Sequence, residues 1–231
     1  CRVTDDSLMT AAVAEAFLTM RETDLPETES VLGPLLCERM RRLGRTYPDA
    51  GYGQKFKAWL MDETMGPYGS CGNGAAMRVS PAGWFAYTLA EAEELALISC
   101  RVSHNEKSAE KAAQAVAGAI FLARSGARKD VIRTYLGRFY DLSEPFDELR
   151  SHYEGEATCD GSVPQALTAF LAVSPEQQRL FAPRLLQRCA AHCASGTDID
   201  EAFMSGKTAV EQMVAGQTDK MVGFECDRTN G

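Results

Sequence analysis

The stretch Pro67–Trp84, PYGSCGNGAAMRVSPAGW, decides how this chain is read. Gly69, Gly72 and Gly74 alternate with Ser70, Cys71 and Asn73, and the helix formers Ala75-Ala76-Met77-Arg78 follow at once. Glycine permits positive φ and removes the side chain that would hold a ligand away. A glycine-rich loop that feeds a helix N-terminus turns N–H groups toward one spot, where the helix dipole favours an anion. Such a loop is a cradle for a phosphate or diphosphate; a solvated turn between two helices is the plain alternative.

Outward from that loop the apolar residues follow helical spacing. Leu8–Met20 is strongly helical and is preceded by Thr4-Asp5-Asp6-Ser7, residues that cap helix N-termini. A second helix is expected over Glu29–Leu43, with Pro34 in its first turn or marking a later start. Gly51–Met61 reads as a short helix packing Phe56 and Trp59. Thr88–Val102 and Ser108–Ala123 are alanine-rich, with apolar residues three and four apart, and Gly126 is placed to cap the second. Val131–Tyr140, a segment starting near Pro164 and running to Leu171, Pro175–Cys193 and Asp200–Ala215 complete the set. No stretch alternates with period two long enough to propose a strand. The expected fold is all-α: one compact orthogonal helical bundle of eight to ten helices over residues 1–231, with no repeat or linker dividing it.

With 231 residues, 45% hydrophobic and 24% charged, the composition is that of a globular protein able to bury one core. A net charge of −8 argues against broad attraction to nucleic acid or acidic lipid. No apolar run reaches a transmembrane length, and no signal peptide is visible. Of the eight cysteines, Cys37, Cys71, Cys100, Cys159, Cys189 and Cys193 sit mostly in apolar helical stretches, a pattern of buried free thiols in a reducing, cytoplasmic setting. Beginning at Cys1, the chain is expected to be processed, cut from a longer one or rearranged. The basic run Arg39–Arg42 reads as a solvated helix face, because no aromatics interleave it.

Two acidic clusters stand at opposite ends of the chain: Thr4-Asp5-Asp6 and Thr197-Asp198-Ile199-Asp200-Glu201. Singly, each is a helix cap with a favourable charge–dipole contact. Together they offer a hydroxyl and several carboxylates, the hard oxygen donors that divalent cations require. Spacing alone does not bring them together. Cys189, His192 and Cys193 fall on one helical face, but no second ligand pair follows at zinc spacing. Gly206-Lys207-Thr208 lacks both the leading glycine and the strand of a phosphate-binding P-loop.

The order of these motifs resembles the ADP-ribosylglycohydrolase family over most of the chain. TDDSLMTAAVAEAFL resembles the family's first metal motif and its helix, GSCGNGAAMR its diphosphate- and ribose-binding loop, and SHNEKSAEKAAQAVAGAIFLA the helix pair whose histidine lies near the ligand. CDGSVPQALTAFL resembles its valine-proline helix start, and SGTDIDEAF its second metal motif. The resemblance implies Thr4, Asp5, Asp6, Asp198, Asp200 and Glu201 as ligands of two Mg²⁺ ions, with Mn²⁺ as a substitute. It implies Gly69, Ser70, Cys71, Gly72, Asn73 and His104 as ligand-binding positions, and Asp5, Asp6, Asp200 and Glu225 as the catalytic carboxylates.

Glu201 stands where the family usually has a hydroxyl residue, and Cys71 where an aromatic is common. The family's glycine-rich acidic segment before T-D-D has its nearest likeness in the tail Met213–Glu225; a circularly permuted order would put Glu225 in the glutamate's place, and truncation or divergence is the equal alternative. The implied activity is Mg²⁺-dependent hydrolysis of the bond between ADP-ribose and an acceptor. The implied partners are an ADP-ribosylated protein or an ADP-ribose-containing small molecule, no membrane, and nucleic acid only as an ADP-ribosylated acceptor. The alternatives are a non-catalytic ADP-ribose-binding relative and an all-α nucleotide pyrophosphohydrolase; released ADP-ribose, AMP or nothing separates the three.

Overall fold

The computed structural model describes residues 4–172, and all of its elements are helical. Ten helices are found among the described residues: α1 (Asp5–Glu22), α2 (Glu29–Thr46), α3 (Gln54–Met61), α4 (Gly74–Met77), α5 (Ser80–Phe85), α6 (Leu89–Arg101), α7 (Lys107–Arg124), α8 (Lys129–Leu136), α9 (Phe146–His152) and α10 (Cys159–Ala172). The strand-like feature among them is a single antiparallel bridge between Gly72 and Thr158. The expected helices Pro175–Cys193 and Asp200–Ala215 lie outside the described residues.

Helix starts follow the capping chemistry in the sequence. Thr88 accepts a hydrogen bond from the Glu91 amide at the head of α6, and Glu91 reaches back to the Tyr87 amide. This is a variant of the reciprocal capping box. Glu106 caps α7 through the Ser108 amide at 2.6 Å. At the other end Gly126 has φ 80°, its amide bonds the Ala123 carbonyl and the next amide bonds Leu122. That is the glycine stop expected there.

Two prolines do not sit where the sequence reading put them. Pro34 is the sixth residue of α2 and Pro164 the sixth of α10, both inside the helix. Proline there removes one helical hydrogen bond. In α2 the loss is offset by the buried face of Leu32, Leu36, Met40 and Leu43, while Pro34 itself faces outward. In α10 the start is fixed upstream: the Thr158 hydroxyl accepts from the Gly161 amide at 3.1 Å, and the Cys159 amide bonds the Cys71 carbonyl at 2.8 Å. The Val131–Tyr140 helix is also shorter than expected, because α8 ends at Leu136, and α9 was not foreseen.

The most extensive packing is α6 on α7 and α1 on α2. The short helix α5 wedges against α1, α6 and α7. Its contact with α7 is so close that a Cβ on Gly83 would stand 2.6 Å from the Ala117 carbonyl oxygen. Alanines 109, 112, 113, 115, 117 and 119 make α7 the buried spine. Small residues allow neighbouring backbones to approach it. The basic run on α2 is spent internally: Arg39 and Arg42 pair with Glu15 on α1 at 3.3 and 2.5 Å. Arg41 lies over Trp59 and donates to its carbonyl.

Candidate functional site

The loop Pro67–Asn73, which leads into α4, is bonded both to the α6–α7 connection and to the start of α10. Four bonds hold it. The Gly69 amide donates to Asn105 Oδ1 at 2.7 Å, and the Asn73 amide to the Ala157 carbonyl at 2.8 Å. Asn73 Nδ2 donates to Ser162 Oγ on α10 at 3.0 Å, and the Cys159 amide closes onto Cys71. Asn73 is 9% exposed. Its amide is therefore a tether between loop and helix, a role the sequence reading did not assign.

The expected row of free loop amides is reduced. Three of them, at Gly69, Gly72 and Asn73, are spent on Asn105, Ser70 and Ala157. The following helix α4 is only four residues long, so its dipole is small. What the loop offers instead is a bare backbone edge facing a histidine. A Cβ on Gly74 would stand 3.2 Å from His104 Nε2, and one on Gly72 3.9 Å away. Gly74 is the tight approach, since a Cβ there would crowd the imidazole, whereas one on Gly72 would make ordinary contact.

His104 sits in the connection between α6 and α7 and is 4% exposed. Its Nδ1 shares a 2.8 Å hydrogen bond with Ser103 Oγ. Burial, helped by the Arg78 charge, pushes its pKa down to about 3, so the ring is neutral at physiological pH. Tyr68 and Phe56 flank it with ring centroids 5.7 and 6.2 Å away. Burial raises the Tyr68 phenol to about 12, which leaves it protonated. Beneath them Arg78 is 1% exposed, makes no ion pair among the described residues, and lies 5.8 Å from the Phe56 ring centre.

The aromatic strip continues to the first acidic motif. Phe56 meets Tyr52 at 5.8 Å, and Tyr52 is raised to about 12 by burial and then by the Asp5 carboxylate. Asp5 opens α1, its amide bonded to the Ala50 carbonyl at 2.9 Å. Thr4 Oγ1 donates to Asp6 Oδ2 at 3.2 Å, whereas Asp6 Oδ1 is buried with no hydrogen-bond partner among the described residues. The helix α1 also packs on α4. The structure thus links Asp5, at the head of α1, to His104 through Tyr52 and Phe56. Of these aromatics the sequence reading singles out only Phe56, as a packing residue, and misses Tyr52 and Tyr68.

Asp198, Asp200, Glu201 and Glu225 lie outside the described residues. Among the described residues no three histidine, cysteine or carboxylate side chains converge as a metal site. Cys37, Cys71, Cys100 and Cys159 are free thiols, as expected, but Cys71 is exposed on the loop and Cys37 only half-buried. The apolar pattern places Cys100 and Cys159 correctly; Cys71 follows the loop, which has no apolar face to bury.

A family profile described as ADP-ribosylglycohydrolase matches residues 1–215, a span that contains the loop, the histidine connection and the T-D-D helix. The chain belongs to the ADP-ribosylglycohydrolase family. The all-α fold agrees with this. A search of curated proteins finds no match. Membership places the protein among hydrolases that act on ADP-ribosyl groups. No described helix is long and apolar enough to cross a membrane.

Proposed function

We propose that this protein hydrolyses the glycosidic bond joining ADP-ribose to an acceptor, in a Mg²⁺-dependent reaction. The observation that carries the reading is the continuity of the glycine loop, neutral His104 and the Asp5–Asp6 carboxylates across one strip of aromatic rings. The donor set fits a hard cation: two carboxylates and a hydroxyl, with one buried oxygen of Asp6 unpaired. Thr4, Asp5 and Asp6 would hold one side of the metal pair; Asp198, Asp200 and Glu201 would supply the other. Bound Mg²⁺ contributes positive charge that orients ribose hydroxyls and polarises the scissile centre.

The protein's own groups do the rest. The bare edge at Gly72 and Gly74 admits the diphosphate and ribose close to the backbone, and His104 meets an oxygen of the ligand. Tyr68 and Phe56 form a low-dielectric wall beside it, which strengthens each polar contact. Positive charge develops on the ribose as the bond to the acceptor stretches, and carboxylates at that point favour it. Asp200 or Glu225 would take the proton of the attacking water.

One assay tests this reading. The protein is incubated with ADP-ribosylated arginine, serine and nucleic-acid ends, with Mg²⁺ and with EDTA, and the products are separated. Free ADP-ribose, lost with EDTA, is expected from at least one acceptor. AMP would mean pyrophosphate cleavage. ADP-ribose bound but never released would leave a non-catalytic binding relative.

A further inference from the structure

Ser103 is fully buried, and its hydroxyl touches two groups among the described residues. Arg78 Nη2 lies 2.9 Å away and His104 Nδ1 2.8 Å away. The guanidinium has only hydrogens to offer, so the Ser103 oxygen must accept from it. Arg78 cannot swing aside, because the same nitrogen also donates to the Ser99 carbonyl at 2.8 Å. A buried hydroxyl keeps its own hydrogen bonded. The acceptor in reach is His104 Nδ1. That nitrogen must then carry a lone pair, and the single proton of a neutral imidazole is left on Nε2.

We propose that Arg78 and Ser103 are positioning residues that lock His104 in its Nε2–H tautomer, so that the glycine loop faces a fixed hydrogen-bond donor. The chain runs in one direction, from guanidinium to hydroxyl to imidazole to the space over Gly72 and Gly74. A ligand atom meeting Nε2 must therefore be an acceptor, such as a phosphate, ring or hydroxyl oxygen. Taking that acceptor to be an oxygen of ADP-ribose rests on the function proposed above; the tautomer itself does not.

The experiment uses the full chain labelled with ¹⁵N-histidine, free of ligand, and His104→Gln identifies the His104 signals among the three histidines. Expected at neutral pH is a protonated Nε2 and an unprotonated Nδ1. Ser103→Ala removes the donor to Nδ1 and should give a mixture of tautomers, whereas Ser103→Thr keeps the hydroxyl and should restore the single form. With ADP-ribose as the probe, calorimetry should show Ser103→Ala binding about five- to tenfold more weakly and Ser103→Thr close to wild type. An Nδ1-protonated or doubly protonated His104 in the wild type overturns the proposal, as does an unchanged tautomer in Ser103→Ala. If the tautomer is as stated and ADP-ribose binds to none of the proteins, the relay stands and the ligand reading fails.

Discussion

Asn73 shows how one residue can serve the site without facing the ligand. Its Nδ2 is bonded to Ser162 and its backbone amide to Ala157, so the loop is pinned to the start of α10 at two points. Asn73→Ala should cost about 1 kcal/mol of stability by losing that buried bond. The loosened loop should also bind ADP-ribose more weakly. Urea unfolding checks the first effect and calorimetry the second; unchanged stability would mean that the tether carries no load. His104 makes a separate prediction. Arg78, Tyr68 and Cys100 are the titratable groups around it, and its folded pKa of about 3 lies below the ordinary 6.5. The unfolded chain therefore binds the extra proton first. Its contribution to stability is complete above pH 6.5 and is lost as pH falls toward 3, by up to about 1.4 kcal/mol per unit. The stability difference between wild type and His104→Gln, followed from pH 7 to 4, should move against the wild type by that slope. A flat difference would show that His104 is not buried as a neutral ring.

Among the elements, α2 carries a local conflict that the packing overrides. Pro34 withholds the amide that would reach the Ser30 carbonyl, yet the helix runs on to Thr46. Its exposed position means that the ring contributes little packing. Pro34→Ala should therefore stabilise the protein by about 1–2 kcal/mol, the restored helical bond outweighing the extra freedom of the unfolded chain. A thermal midpoint that rises checks it, and one that falls would mean that the ring supports α2 in a way its exposure does not suggest. The same reasoning explains why the start of α10 lies upstream of Pro164, while α2 starts at Glu29 as expected. Proline marks a start only when nothing upstream caps the helix; Thr158 caps α10 upstream of Pro164 by accepting from the Gly161 amide.

At the scale of the whole molecule the unusual demand is charge. A net −8 is carried by a chain with two proposed metal motifs, Thr4–Asp6 and Asp198–Glu201, each rich in carboxylates. Carboxylates gathered around a cation would repel one another once it is removed. Asp200→Asn should consequently abolish Mg²⁺-dependent hydrolysis while leaving the metal-free protein as stable or more so. A site that exists only in the folded state raises the melting midpoint as its ligand is added. Mg²⁺ should raise the wild-type midpoint and leave that of Asp200→Asn nearly unmoved. Equal shifts in both would remove Asp200 from the ligand set, and a pure capping role would leave activity intact, since asparagine caps about as well as aspartate.

Much of this protein was legible from the order of its residues. Helical periodicity marks α1, α6 and α7, and Gly126 marks a stop. These are local effects, set by neighbours within one turn. The glycine loop and T-D-D could likewise be read as motifs, because close approach and oxygen ligation favour those residue types, whereas SHNE stood out only through the family resemblance. Tertiary structure alone decided which groups those motifs meet. Loop amides were spent on Asn105 and Ala157, Asn73 on Ser162, and Ser103 was placed between a buried arginine and His104. Each of these outcomes depends on which distant backbone or side chain fills the last hydrogen-bonding position. A hydrogen bond is decided by distance in space, and distance along the chain does not carry it.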